Sequence, residues 1–136
     1  MPFVLDASIV GCWALEDENH PVAEAAFAQI KTDEAIVPNL WWFEVRNILV
    51  MNERRKRITG SETTAFLRNL SRFRIQIDRL PEEAQLLHLA RTHRLSVYDA
   101  AYLELAQRER IPLATLDADL SAAAQAESVP LLGPPQ

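Results

Sequence analysis

Short apolar runs alternate along the chain with longer segments of helical periodicity. Each run is bounded by polar residues or proline, and this pattern predicts short buried strands. The predicted strands are residues 3–5, 35–38, 75–78, 112–116 and, as a last strand or extended arm, 129–132. The predicted helices are residues 8–16, 21–31, 40–57, 61–74, 81–94, 98–110 and 121–127, the fourth of them with Ser61 as its N-cap.

Alternation of strands and helices predicts an α/β domain whose parallel sheet is covered by helices on both faces. We expect a single domain over residues 1–132 and a flexible C-terminal tail over residues 133–136, because that tail contains one glycine and two prolines. In sheets of this kind, ligands bind at the carboxyl ends of the strands, near the point where the strand order reverses. The residues that follow the strands are therefore the first candidates for function.

Composition narrows the classes of protein that fit the pattern. The chain has 136 residues, of which 49% are apolar and 24% charged, as in a globular domain with a real core. No apolar run approaches the ~20 residues that cross a bilayer, so we expect no membrane partner. Cys12 is the single cysteine, which excludes an internal disulfide and a cysteine-based zinc site. These features predict a cytoplasmic protein.

Charge is unevenly distributed. The net charge is −5, yet residues 46–79 contain nine basic and three acidic residues. A solvated helical face explains such a segment, and so does a surface that meets phosphate groups. The four consecutive basic residues Arg54, Arg55, Lys56 and Arg57 fit either interpretation, because cations are also favoured at a helix C-terminus.

Two aspartates follow predicted strands directly. Asp6 comes after the first strand and Asp117 after Thr115-Leu116, so both are expected at the carboxyl edge of the sheet. A helix N-cap is the alternative for each, since aspartate commonly opens a helix. Asp119, two residues further on, is either an additional acid of the same group or a solvent-facing turn residue.

Two further acids lie on predicted helices. Glu44 shares a helix face with apolar Trp41 and Ile48, where a carboxylate has to be paired, protonated or bound to a metal. The alternative is an ion pair with Arg46 or with a distant arginine. Asp99 follows Ser96 at capping-box spacing, which places it in the first turn of a helix.

If these acids converge, their mutual repulsion requires a counter-charge. Two carboxylates ~4 Å apart repel by about 4 kcal/mol at an effective dielectric constant of 20. The remedies are raised pKa values or a hard divalent cation, and an oxygen-only donor set favours Mg²⁺ or Mn²⁺. The three histidines lie outside this pattern and are interpreted as structural or surface residues.

The same segments resemble the motifs of PIN-domain ribonucleases, in order and at matching spacing. The similar segments are Val4-Leu5-Asp6-Ala7-Ser8, residues 37–45 around Glu44, residues 95–102 around Asp99, and residues 112–120 around Asp117. Together with the chain length, they resemble the VapC-type toxins of bacterial toxin–antitoxin modules. The resemblance implies a PIN-like three-layer α/β/α sandwich with a short, mainly parallel central sheet of four to five strands.

It further implies a Mg²⁺- or Mn²⁺-dependent endoribonuclease that inhibits translation. By position, its catalytic and metal-binding acids would be Asp6, Glu44, Asp99 and Asp117, with Asp119 as a frequent extra acid. Ser8 and Thr115 match polar residues that flank these acids, and we expect them to fix carboxylate rotamers. The resemblance also implies a homodimer, an RNA substrate and a VapB-type antitoxin that binds the long-helix region and blocks the site.

Several other classes fit the residues less well. An aspartyl phosphatase needs a second aspartate at the position of Ser8, and a receiver domain needs a lysine after a late strand, whereas the only lysines are Lys31 and Lys56. The alternative that stays open is a degenerate PIN fold that acts as an interaction protein without nuclease activity.

Overall fold

The computed structural model describes residues 1–133 and alternates strands with helices, as expected. The elements in chain order are β1 (Phe3–Leu5), α1 (Ala7–Ala14), α2 (Pro21–Ile30), β2 (Ala35–Val37), α3 (Leu40–Arg54), α4 (Gly60–Leu70), β3 (Ile75–Ile77), α5 (Glu83–His93), α6 (Val97–Glu109), β4 (Leu113–Ala114) and α7 (Ala118–Ala126). Residues 134–136 of the predicted tail lie outside the described residues.

The four strands form one parallel sheet in the order β3-β2-β1-β4. Val4 of β1 is in register with Ile36 of β2 on one side and with Leu113 of β4 on the other. The chain thus builds the sheet outward from β1 through β2 to β3 and then returns to the opposite side of β1. The strand order reverses between β1 and β4, which is where such sheets place their ligands.

Helices cover the sheet in two groups and give the predicted three-layer architecture. Helix α1 packs against α2 and α3, whereas α6 packs against α5, α7 and β1. The central strand β1 is fully buried, as a parallel strand with helices on both faces should be. No helix within residues 1–133 combines the length and the apolar character needed to cross a bilayer.

Several element boundaries differ from the sequence expectations. The N-cap of α4 is Thr59 instead of Ser61, because Thr59 and Glu62 form a reciprocal capping box that satisfies two backbone amides. Helix α3 ends at Arg54, and Lys56 adopts a left-handed conformation with φ of 60°. Of the two alternatives for residues 129–132, a last strand or an extended arm, the structure shows the arm, which is joined to the sheet by an isolated bridge between Leu131 and Leu113.

Candidate active site

Asp6 lies where β1 passes into α1, and its carboxylate is nearly buried. Its Oδ2 atom accepts hydrogen bonds from Ser8 Oγ at 2.8 Å and from Thr115 Oγ1 at 2.6 Å. No hydrogen bond of the described residues involves Oδ1. Asp6 occupies the N-cap position of α1 without making a side-chain cap bond, so the N-cap interpretation does not explain this carboxylate.

Thr115 and Ser8 form hydrogen bonds that connect Asp6, at the end of β1, with the segment that follows β4. Thr115 Oγ1 accepts from the backbone N–H of Asp117 at 3.0 Å, and Ser8 Oγ accepts from Leu116 N–H at 3.1 Å. Each hydroxyl therefore donates to Asp6 and accepts from the segment that carries Asp117. This double use fixes both hydroxyl orientations and, with them, the Asp6 rotamer.

Asp117 caps helix α7 and also lies beside Asp6. Its Oδ1 accepts from Leu120 N–H at 2.9 Å, which is the N-cap bond expected from the sequence alternative. Its negative charge nevertheless contributes to raising the pKa of Asp6. Asp119 is exposed in the first turn of α7, and its charge acts on Asp99.

Glu44 and Asp99 reach the same region from α3 and α6. Glu44 is half-buried and accepts a hydrogen bond at Oε1 from the hydroxyl of Tyr102 at 2.6 Å. The alternative partner Arg46 does not pair with it, because its guanidinium stacks 3.9 Å from the centroid of Trp42 and donates to that residue's carbonyl. Asp99 is the third residue of α6, and its backbone N–H donates to the capping hydroxyl of Ser96.

The acids raise one another's pKa values. Burial raises the pKa of Asp6 most, and the charge of Asp117 adds to the effect against the hydrogen bonds from Thr115 and Ser8. Burial likewise raises the pKa of Glu44, with contributions from Asp6 and Asp99. The pKa of Asp99 is raised by burial and then by the charges of Asp117 and Asp6. Four carboxylates that are distant in sequence therefore share one electrostatic environment.

No basic side chain among residues 1–133 forms an ion pair with these four acids. Among residues 1–133, the ion pairs involve other acids: Asp17, Glu18, Asp33, Asp78, Glu104, Glu109 and Glu127. Buried carboxylates without a basic partner are unusual, because desolvation of the charged form is costly. Within the described residues, either raised pKa values or a bound cation would relieve this repulsion.

The carboxylate oxygens of this site are donors that fit a hard divalent cation. The distances between the carboxylates limit how many of them can bind one ion directly. No group of three or more Asp, Glu, His or Cys side chains in the described part of the chain is close enough to coordinate one ion together. Mg²⁺ usually keeps several water ligands and binds one or two carboxylates directly. The residues therefore fit a largely hydrated ion, with the remaining carboxylates acting through water.

The basic segment after α3 lies on the surface, but its members differ. Arg54, Arg55 and Lys56 are exposed. Arg57 instead binds Asp17 and Glu18 through Nη2, each at 3.0 Å, and Asn52 through Nη1. Arg57 is thus committed to an ion-pair cluster with the loop after α1 and is a weaker candidate for RNA contacts than its neighbours.

Sequence analysis did not identify Tyr102 as part of this region. It lies in an Ala-rich helical segment, where an aromatic residue is expected to be core, and its ring is indeed fully buried. The partner of its hydroxyl is 58 residues away in sequence. The available signal was the spacing of three residues from Asp99, which puts both side chains on one helix face.

Comparisons with known proteins agree with the fold. The family model described as PIN domain matches residues 3–126. Ribonuclease VapC3 from Pyrobaculum aerophilum is 32% identical over 125 residues, which cover 89% of this chain and 93% of that protein. The crystal structure of PAE2754, also from Pyrobaculum aerophilum, superimposes with a TM-score of 0.67 at 24% identity and covers 90% of this chain and 87% of that one.

Proposed function

The chain belongs to the PIN-domain family, and from that premise we propose that it is a VapC-type, metal-dependent endoribonuclease. The observation that carries the proposal is the shared electrostatic environment of four acids that have no basic partner within residues 1–133: Asp6, Glu44, Asp99 and Asp117. The similarity to a protein named ribonuclease VapC3 supports RNA as the substrate class.

Asp6 and Asp99 would hold Mg²⁺ or Mn²⁺ in this site. When bound, such an ion supplies a Lewis acid that acidifies water and neutralises charge on the phosphate. Glu44 and Asp117 would orient the attacking water by accepting its hydrogen bonds or would hold a second ion. Ser8 and Thr115 donate their hydrogen bonds to Oδ2 of Asp6, which would leave Oδ1 available to the ion.

Surface features support further parts of the proposal. Exposed Arg54, Arg55 and Lys56 would steer the RNA backbone toward the site, with an affinity that falls as salt rises. Large apolar side chains exposed near the start of α3 and after β3, among them Phe43 at 70% and Leu80 at 72%, support a homodimer. We further propose that the protein acts in the cytoplasm as a toxin, inhibits translation and is neutralised by a VapB-type antitoxin.

An apolar groove supports the antitoxin partner. The groove has a volume of about 430 Å³ and is lined by Trp13, Phe27, Phe66 and Phe73, from α1, α2, α4 and the segment after α4. It is suited to apolar side chains of an extended or helical peptide. The antitoxin was expected at the long helix α3, and this groove extends the candidate surface to the neighbouring helices.

One experiment separates the nuclease from a degenerate PIN fold. Purified protein is incubated with single-stranded RNA in the presence of Mn²⁺, of chelator, and of chelator followed by excess Mn²⁺. We expect cleavage that stops with chelation and returns with the ion. Asp99→Asn should lose cleavage, whereas Glu83→Gln, which removes an exposed carboxylate in the first turn of α5, should retain it. Cleavage that resists chelation, or full activity of Asp99→Asn, would contradict the proposal.

The degenerate interaction protein is favoured by one observation, namely that no three acids in the described part of the chain are close enough to share an ion. That reading predicts no Mn²⁺ binding that depends on Asp6 and Asp99. Calorimetric titration of the wild type and of Asp99→Asn with Mn²⁺ therefore tests it directly.

A further inference from the structure

The hydroxyl of Tyr102 links two acids of the site through one helix. Tyr102 lies on α6, three residues after Asp99, and its side chain is fully buried. The hydroxyl donates to Oε1 of Glu44 at 2.6 Å, a short hydrogen bond of the charge-assisted kind. The backbone of Ala7, next to Asp6, is close enough to the Tyr102 hydroxyl to affect its pKa.

We propose that Tyr102 is a positioning residue that holds the Glu44 carboxylate in its working orientation toward the divalent ion and the attacking water. The inference rests on the proposed function, because it assigns Glu44 to the metal-dependent site. Glu44 has no other hydrogen-bond partner among residues 1–133, since Arg46 is turned toward Trp42. Without the Tyr102 hydroxyl, the Glu44 side chain would be free to rotate about its χ angles.

A tyrosine suits this role because it orients a carboxylate without neutralising it. A lysine or arginine at the same place would supply a positive charge and compete with the cation. An ionised carboxylate can only accept, so the phenolic hydroxyl is the donor in the bond to Glu44. The hydroxyl thus leaves the negative charge of Glu44 available to an ion.

The placement on α6 also couples two acids. Asp99 and Tyr102 are three residues apart and share a helix face, so a rigid helix sets the distance between the Asp99 carboxylate and the atom that holds Glu44. Asp99 and Asp6 are the charges that act on Glu44. A change at Tyr102 should therefore be felt through Glu44 and not through a general loosening of the core.

The competing explanation is that Glu44 merely satisfies a buried phenol of the core. Tyr102→Phe separates the two, because it removes one oxygen atom and keeps the ring that packs in the core. Tyr98→Phe is the matched control: Tyr98 is on the same helix, is 65% exposed and donates no hydrogen bond within residues 1–133. Both variants, the wild type and Asp99→Asn are titrated with Mn²⁺ by calorimetry, and their RNA cleavage is followed as a function of Mn²⁺ concentration.

We expect Tyr102→Phe to weaken Mn²⁺ binding, and to raise the Mn²⁺ concentration for half-maximal cleavage, by about tenfold, the lower end of what loss of a supporting hydrogen bond to a metal site causes. Tyr98→Phe should match the wild type. In a Glu44→Ala background, Tyr102→Phe should weaken Mn²⁺ binding by less than about twofold, because its target is already gone.

A core-only role would lower the melting temperature of Tyr102→Phe in chelator and leave its Mn²⁺ affinity unchanged, and that result would overturn the proposal. Equal losses with and without Glu44 would overturn it as well. If the wild type bound no Mn²⁺, the proposed function itself would fail. If the wild type and Tyr102→Phe bound Mn²⁺ with equal affinity, only the role of Tyr102 would fail.

If Tyr102→Phe does not fold, a measurement on the wild type still tests the proposal. The tyrosine bands in the ultraviolet resonance Raman spectrum should shift when Mn²⁺ is added to the wild type but not to Glu44→Ala, and an unchanged wild-type spectrum would contradict the proposal.

Discussion

Replacing Thr115 with valine removes a single hydroxyl that serves two partners at the edge of the sheet. Thr115 is buried, with 5% of its surface exposed, and valine has nearly the same shape. The substitution deletes the 2.6 Å bond to Oδ2 of Asp6 and leaves the N–H of Asp117 without its acceptor at 3.0 Å. Because the packing is preserved, the measured loss should reflect these two interactions.

The magnitude follows from the two interactions. A hydrogen bond to a charged group contributes about 1.5–3 kcal/mol, and an unsatisfied amide costs roughly 1–3 kcal/mol when it is fully buried. Asp117 is only partly buried, so water can replace part of the second interaction. We therefore expect the free energy of unfolding to fall by about 3 kcal/mol, which for a domain of this length lowers the melting temperature by roughly 10 °C.

The assay is urea unfolding at neutral pH in the presence of chelator, with RNA cleavage in Mn²⁺ measured on the same samples. Thr115→Ser keeps the hydroxyl and should lose much less stability than Thr115→Val. Thr92→Val, which changes an exposed threonine of α5, should leave stability and cleavage unchanged. Cleavage by Thr115→Val should fall by at least tenfold, because the Asp6 rotamer is no longer fixed. Equal stability losses for the serine and valine variants would refute the assignment of both hydrogen bonds.

Three other predictions concern charge. Burial and the charge of Asp117 raise the pKa of Asp6, which means that the ionised carboxylate opposes folding. Asp6→Asn should therefore raise the urea midpoint of the chelated protein, and a lower midpoint would contradict this sign. The same variant should abolish cleavage, because Asp6 is a proposed ligand of the ion. Glu104, only 2% exposed, accepts two hydrogen bonds from Arg108 at 2.8 and 3.0 Å. Arg108→Ala should therefore lower the free energy of unfolding, measured in urea, by roughly 3 kcal/mol, because it leaves a buried carboxylate unpaired. Removal of the exposed Arg57 is the control and should change the free energy of unfolding little. The hydrogen bond from His93 lowers the pKa of Glu127, so the ionised Glu127 stabilises the fold at pH values above the ordinary pKa of glutamate. This stabilisation is lost as the pH falls below that pKa. Glu127→Gln should therefore flatten the dependence of the unfolding free energy on pH between about 5 and 3, and an unchanged slope would exclude the linkage.

Much of the fold was readable from the sequence because its strands are short, apolar and separated by helices of clear periodicity. The four-stranded parallel sheet and the covering helices are confirmed. The boundaries were less predictable. The capping box of Thr59 and Glu62 could have been found from its spacing, but Ser61 and the preceding glycine offered a competing helix start. The sequence left residues 129–132 open between a last strand and an extended arm, because an apolar segment does not reveal how many of its residues will pair.

The candidate acids could be chosen from the sequence because Asp6 and Asp117 follow predicted strands and Glu44 interrupts an apolar helix face. Asp99 was chosen from its capping-box spacing after Ser96. Their partners could not, since these arise from contacts between distant segments. The bond between Thr115 and Asp6 joins residues 109 positions apart, and that between Tyr102 and Glu44 joins residues 58 positions apart. The ion pairs of Arg57 with Asp17 and Glu18 depend in the same way on how α3 meets the loop after α1. Local patterns determine which elements form, whereas the tertiary fold determines which polar groups meet.

Anomalous diffraction from a crystal of the wild-type protein soaked in Mn²⁺ would test the central claim most directly. The account predicts a manganese peak beside Asp6 and Asp99, with at least one of their carboxylate oxygens at roughly 2.0–2.3 Å from the ion and water completing the coordination. A saturated crystal with no peak at the carboxyl edge of the sheet, or with manganese bound only elsewhere on the surface, would contradict it.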